Sequence, residues 1–308
     1  MAKNALSLIL LAAPLACALA AAPAHAQPIR VFVALTGSDA NPCTFASPCK
    51  SAQHAHDVVA AGGEIRMLDQ GAYGLLTITK AVSIQGHGYG EIAASGGATA
   101  ITINAGATDT VSLRGLIVEG IGTGLNGIAF NSGAALDIQD CVVRNFTATG
   151  ISFQPSATSS LVVSNTHIVA TKDGIGFVAA TGAAATGALD RVSSEKNMGT
   201  GILASIPAGG TGSGNLTISN SVASENGVGG IRLVAESGTM NVMVRDSVVS
   251  NNLNGVVSGT NGTTWLTRST ITGNVSGLTA FGPLVSFGDN TIVGNTHDGL
   301  PTSTWATR

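Results

Sequence analysis

The chain has 308 residues, of which 44% are apolar and 10% charged. That is enough apolar material for a sizeable core, but charged residues average about a quarter of a globular chain. The surface must therefore be built from Ser, Thr, Asn and Gly, of which Gly alone contributes 41 residues. The formal net charge is −3 and no basic patch is visible, which excludes nucleic-acid binding by a phosphate-neutralising surface.

Lys3 gives the chain a positive start, and Ala5 to Ala22 is an apolar run broken by Pro14. Ala24-His25-Ala26 has the small-x-small form of a signal-peptidase site. These features predict a signal peptide over 1–26, cleaved after Ala26 to leave Gln27, and a secreted or periplasmic protein. The competing lipoprotein reading, with Cys17 acylated, meets Pro14 close to where an aliphatic residue is needed. Beyond residue 26 no segment stays apolar for about 18 residues, so no membrane span is expected.

Residues 27–86 are expected to form an N-terminal cap and first coil. Cys43 and Cys49 bracket a short loop, and export to an oxidising compartment predicts a disulfide between them. No His or second Cys pair nearby has metal-ligand spacing. Ser51 is a helix N-cap candidate. The helix it starts, running to Ala60, would plug an open apolar end with Ala52, Ala55, Val58 and Val59. Cys141 is left over and reads as a small buried thiol.

Residues 87–308 carry a degenerate repeat. A small residue, Gly and an aliphatic residue recur at Asn126-Gly127-Ile128, Thr149-Gly150-Ile151, Asp173-Gly174-Ile175, Thr200-Gly201-Ile202, Gly229-Gly230-Ile231, Asn254-Gly255-Val256, Ser276-Gly277-Leu278 and Asp298-Gly299-Leu300. The glycines are 23, 24, 27, 29, 25, 22 and 22 residues apart, a period that signifies a stacked architecture. Each repeat has a second half that alternates apolar residues, reaches an Asx, and ends in a polar turn. Leu136 to Asn145 and Val242 to Asn251 share this frame, as do Leu161 to Ala170, Leu216 to Glu225 and Val285 to Gly294. Period-two alternation over so few residues predicts short strands. Gly and Asn between them supply the turns.

Three short strands per turn of 22–29 residues resemble the right-handed parallel β-helix of the pectate-lyase-like superfamily. The segment Arg30 to Gly86 also resembles the opening of many secreted β-helix proteins: a first strand ending in Gly-Ser-Asp, a Pro-bearing loop, a short helix, Gly-x-Tyr, and a strand ending in Gly. The fold class implied is all-β, a right-handed parallel β-helix solenoid with an N-terminal strand and short-helix cap. Ile128, Ile151, Ile175, Ile202 and Ile231 would then stack as one inward column. A second column, Asp140, Asn165, Asp190, Asn220, Asp246 and Asp289 with Arg268 interrupting, reads as a row of turn caps. It does not read as a Ca²⁺ site, because the Gly-rich calcium-binding nonapeptide is absent.

The resemblance implies relatives that are lyases, glycosidases and epimerases, but their motifs are not matched. Gly86-His87-Gly88 lacks preceding paired aspartates, and His297-Asp298 lacks the Asp-Pro of the epimerase motif. His54 and His56 do not share a helix face and make no metal site with His167 or His297. No cofactor is expected; Ca²⁺ is the one metal left open, without a motif to support it. The remaining candidates lie on one turn: Thr171-Lys172-Asp173, Glu195-Lys196-Asn197, Glu225-Asn226 and Asn251-Asn252. Glu195 and Glu225 on neighbouring rungs would raise one another's pKa and form an acid/base pair, with Lys172, Asp173, Lys196 and Asn197 as ligand contacts. Of the aromatic residues, Trp265 either fills the bore or stands on a strand of the sixth coil, while Trp305 lies in the tail. The leading expectation is an exported carbohydrate-associated or surface-interaction protein without a recognisable catalytic set, its partner a polysaccharide or cell-surface glycan. The alternatives are a polysaccharide lyase or glycoside hydrolase acting through the acidic turn stripe, and a structural, adhesin-like solenoid.

Overall fold

The computed structural model describes residues 27–180 and 182–305. The predicted signal peptide over 1–26 lies outside the described residues. Parallel strands follow one another around three faces, and each strand pairs with its equivalent one coil on. The first face is a nine-stranded sheet running from Leu76–Ile78 to Ser276–Ala280. The second and third faces are joined into one 20-stranded sheet, because the long strands Val82–Ala93 and Thr110–Glu119 bend from one face into the other. Val82–Ala93 spans residues 86 and 87, with a register irregularity between Gln85 and Gly90.

The inward column is present. Ile101, Ile128, Ile151, Ile175, Ile202, Ile231, Val256 and Leu278 are register partners in succession on the first face, all at most 5% exposed. Two residues on, Phe130, Phe153 and Phe177 stack with ring centroids 4.8 and 5.5 Å apart, close to the spacing of adjacent strands, about 4.8 Å. Fully burying one such side chain contributes about 1.5–3 kcal/mol, and the column repeats that gain on every rung.

The glycines of the repeat are there for space. None of those between Gly127 and Gly277 has a left-handed φ. A Cβ on Gly201 would stand 2.7 Å from the Asn226 amide nitrogen and 2.9 Å from the Gly230 carbonyl oxygen. The left-handed turn positions are filled by other residues: Asp140, Asn165, Arg191, Asn220, Asp246 and Arg268 at one corner, and Asn145, Ala170, Lys196, Glu225 and Asn251 at the next. Asp190 is therefore not in the column expected of it. It pairs with Ser164 and Ser219 one position earlier, and Arg191 takes the turn. The last coil is shifted likewise. Leu284, not Val285, continues the inward row from Thr264, because the coil carries one extra residue between Ser286 and Thr291.

Both corners hold buried polar ladders. At the first, the Val192, Ser221 and Ser247 N–H groups donate to the hydroxyls of Ser221, Ser247 and Ser269 one coil on, at 3.1–3.2 Å. Each of these hydroxyls donates back to the carbonyl two residues earlier in its own chain. At the second corner Asn197, Asn226, Asn252, Asn274 and Asn295 stack. Every Nδ2 from Asn197 to Asn274 donates to the next Oδ1 at 2.8–3.0 Å, which also accepts the preceding Asn backbone N–H. The second amide hydrogen of Asn226, Asn252, Asn274 and Asn295 reaches a backbone carbonyl at 3.0–3.1 Å. Thr171 opens the ladder and Asp298 closes it. Such a network stabilises a buried corner only because each donor and acceptor is paired.

At the N-terminal end the helix is Ala52–Val58, capped by the Ser51 side chain, which accepts from the His54 N–H. Val59 leaves the helix in an extended conformation, so the helix stops short of Ala60. Ala52, Ala55 and Val59 are fully buried and Val58 packs against the core. Asp39 ties the loop to this cap by accepting from the Lys50 and Ser51 N–H groups at 2.9 Å. Cys43 and Cys49 are joined as a disulfide. Cys141 is buried, and burial pushes its thiol pKa up to about 11.

Candidate functional site

Register decides what the acidic stripe can do. Glu195 closes its strand opposite Val169 and Ser224. Glu225 follows its strand in the left-handed turn, with φ 55°, as does Lys196. Lys196 and Glu225 are therefore equivalent, and the two carboxylates are not. Glu195 instead accepts from the Ser224 hydroxyl at 3.1 Å and stands 3.4 Å from Nε2 of His167. Asn197 is 2% exposed and its amide is spent in the ladder, so no ligand reaches it. Asp173 accepts from the Thr200 N–H one coil on at 2.8 Å. Lys172, Lys196 and Glu225 are exposed turn residues. The acid pair and its contact set are thus not assembled as one site.

The charges that are assembled are structural. Glu119 is held by Arg144 at 2.6 Å, the Asn145 amide at 2.9 Å and the Ile121 N–H at 2.8 Å. Burial raises its pKa, but these hydrogen bonds together outweigh it and hold the carboxyl below its ordinary value. Arg268 grips Asp246 through two nitrogens at 2.7 and 2.8 Å. Among the described residues one group of three metal-ligand types comes together, Cys43, Cys49 and His54. Its two sulfurs are already bonded to each other, which leaves one imidazole to hold a metal. His56 is buried, with Nε2 accepting from the Thr79 N–H at 3.2 Å. His87 sits in the irregularity between Gln85 and Gly90.

The outer side of the second face offers a different chemistry. Trp265 lies between the buried Thr264 and Leu266, so alternation turns its indole outward, half-exposed. Thr217, Met243 and Trp265 are register partners on three successive coils. Beside them run Asn215, Asn241 and Thr263, with the Asn241 amide donating to Asn215 at 3.1 Å. Together Asn215, Leu216, Thr217, Asn241, Met243 and Trp265 line a shallow depression of about 240 Å³. The hydroxyl and amide row continues through Thr186 and Ser160, and the row on the Trp265 side through Ala188 and Val162. An indole beside a row of amides and hydroxyls suits a ligand with one apolar face and many hydroxyls.

A family model described as a right-handed beta helix region matches residues 77–297, and the chain belongs to this family. No curated protein matches it in sequence. Among solved structures the chain is similar to the pectate lyase Pel9A, at 16% identity and a TM-score of 0.58, with 90% of this chain and 80% of that one covered. It is also similar to the GH136 lacto-N-biosidase from Eubacterium ramulus, at 10% identity and a TM-score of 0.53, covering 90% and 67%. The A-module of the Azotobacter vinelandii mannuronan C-5 epimerase AlgE6 aligns at 16% identity and a TM-score of 0.50, covering 76% and 74%. At these identities the likeness is one of fold.

Proposed function

We propose that this right-handed β-helix protein binds a polysaccharide or cell-surface glycan along the outer side of its second face, without turning it over. The observation that carries the reading is the outward Trp265, set beside the amide pair Asn215 and Asn241 on an otherwise uncharged shelf. A pyranose ring stacks its C–H face on the indole while its hydroxyls exchange hydrogen bonds with the amides and with Thr217. Neighbours of the same fold that act on carbohydrates support this class of ligand. The protein is exported by its first 26 residues, so that the glycan is met outside the cytoplasm. Mass spectrometry of the exported protein tests this, with an N-terminus at Gln27 expected.

A second reading, polysaccharide cleavage, is favoured by one observation: Glu195 and His167 stand 3.4 Å apart on the outer side of the third face. A screen against acidic and neutral polysaccharides, with and without Ca²⁺, separates the two. It reads binding, reducing ends and the ultraviolet absorbance of unsaturated products together. Binding without products supports the first reading. Products that vanish in Glu195→Gln support the second. A complete lack of response shifts the assignment to a structural or adhesin-like solenoid.

A further inference from the structure

The first face carries a feature that glycan binding on the second face does not use. Along its nine strands Arg232 is the single basic side chain. Arg30, Arg66, Arg144, Arg191, Arg245 and Arg268 each lie within 4 Å of a carboxylate. Among the described arginines only Arg114 and Arg232 do not, and Arg114 is exposed. Arg232 is half-buried between its register partners Leu203 and Val257. Its Nε is shielded from solvent and meets no acceptor, a cost that a ligand's anion would remove.

The repeat has been altered to seat this side chain. Three residues earlier, where other coils place Thr149, Asp173, Thr200, Asn254 and Ser276, this coil has Gly229. A Cβ there would lie 2.7 Å from Cδ and 2.9 Å from Cγ of Arg232. Any larger residue would therefore displace the stem. On the other side Arg232 joins Val234, Val257, Thr260, Glu236 and Phe281 around a depression of about 260 Å³. Phe281 is 71% exposed. It lies two strands across and two residues along from Arg232, about 12 Å away.

We propose that this depression binds a carboxylate with an elongated apolar body. The carboxylate pairs with the Arg232 guanidinium in the two-pronged geometry that favours Arg over Lys, and the body runs over Val234 and Val257 to Phe281. Glu236 at the rim disfavours a second negative charge. Octanoate and 3-phenylpropanoate are the probes. Octanol and 3-phenylpropanamide are their neutral counterparts, and glucuronate is a carboxylate without an apolar body.

The experiment titrates each probe into the purified protein and follows the arginine Nε–H resonances by NMR. The two acids are expected to bind with a Kd of a few millimolar or tighter and to move one arginine resonance, the one absent in Arg232→Gln. Neutral counterparts and glucuronate should bind at least about tenfold more weakly. Arg232→Gln and Gly229→Ser should each weaken octanoate by a similar factor, and Phe281→Ala should weaken 3-phenylpropanoate while leaving the melting temperature unchanged. Equal binding of acid and neutral probes overturns the proposal. So does glucuronate binding as tightly as octanoate, an unaffected Arg232→Gln, or no shift at about 20 mM probe. Glycan binding at Trp265 is read separately, so either site can fail alone.

Discussion

The Ser224 hydroxyl donates to the Glu195 carboxylate at 3.1 Å, across the backbone pairing that makes these two residues partners on neighbouring coils. That pairing places Lys196 beside Glu225 and separates the two acids that the repeat suggests as a pair. An enzyme built on Glu195 and Glu225 would need like charges pressed together to divide their pKa values. Here Glu195 has a serine and a histidine for company. Replacing Glu225 by Gln is therefore expected to leave stability within about 0.5 kcal/mol, as for other exposed turn residues, and to leave glycan binding unaltered. Urea unfolding and a binding titration check both.

The asparagine ladder makes a sharper demand. Asn252→Ala removes an acceptor from the amide and N–H of Asn226 and a donor from Asn274 and the Ala223 carbonyl. Leaving such groups buried and unpaired costs roughly 1–3 kcal/mol, so a loss of about 3 kcal/mol is expected. Asn252→Asp should be worse at neutral pH, since a carboxylate would face the Asn274 oxygen without a hydrogen to give. Urea midpoints at neutral pH decide it; a loss below about 0.5 kcal/mol would show the ladder to be dispensable.

Acid should act in two stages. Burial is the main reason the His56 pKa lies below its ordinary value, with Lys80 adding to it against the opposing pull of Asp57. Its neutral ring accepts from Thr79. The unfolded chain then binds more protons, so stability declines as pH falls below about 6.5. Glu119, whose folded pKa is lowered, contributes stability above about pH 4.3 that is lost as pH falls through its folded pKa. Melting temperature against pH should show both steps. His56→Gln should remove the upper step, and Glu119→Gln should reduce the lower one, to which Asp39, Glu64 and the other carboxylates with lowered pKa values also contribute.

The Cys141 thiol, buried and with its pKa raised to about 11, should resist alkylation in the folded protein, because the thiolate is the reactive form. Peptide mapping after iodoacetamide at pH 8 should find it unmodified in buffer and fully modified in denaturant. Rapid labelling in buffer would place it at an exposed or opening site.

The inward column was legible because Gly and Ile recur together, and each is dictated by its surroundings: Gly201 by the lack of room for a Cβ, Ile202 by full burial. The ladder was harder to see. Its position is held by Phe146 and Thr171 in earlier coils and becomes Asn only from Asn197 onward. Its signal was that Asn197, Asn226, Asn252, Asn274 and Asn295 each stand three or four positions before the Gly of the next repeat motif. The same count would have separated Glu195, six residues before Gly201, from Glu225, five before Gly230. Asp190 misled because Arg191 also accepts a left-handed φ, which composition alone does not suggest. Trp265 needed its strand register to be turned outward, since period-two alternation does not say which set faces the bore. Arg232 stood out only once its partners, and the missing side chain at Gly229, were in view.

Glycan binding at the shelf is tested by comparing the affinity of Trp265→Ala with that of Trp305→Ala for a glycan that the parent protein binds. The tail Trp305 lies two strands across and two residues along from Trp265, packs edge-on against Phe287, and does not line the depression. Trp265→Ala is expected to weaken binding by at least about tenfold, with the melting temperature and the product assay unchanged, while Trp305→Ala binds as the parent does. Undiminished binding in Trp265→Ala, or turnover of the bound glycan by the parent protein, would contradict binding at the shelf without turnover.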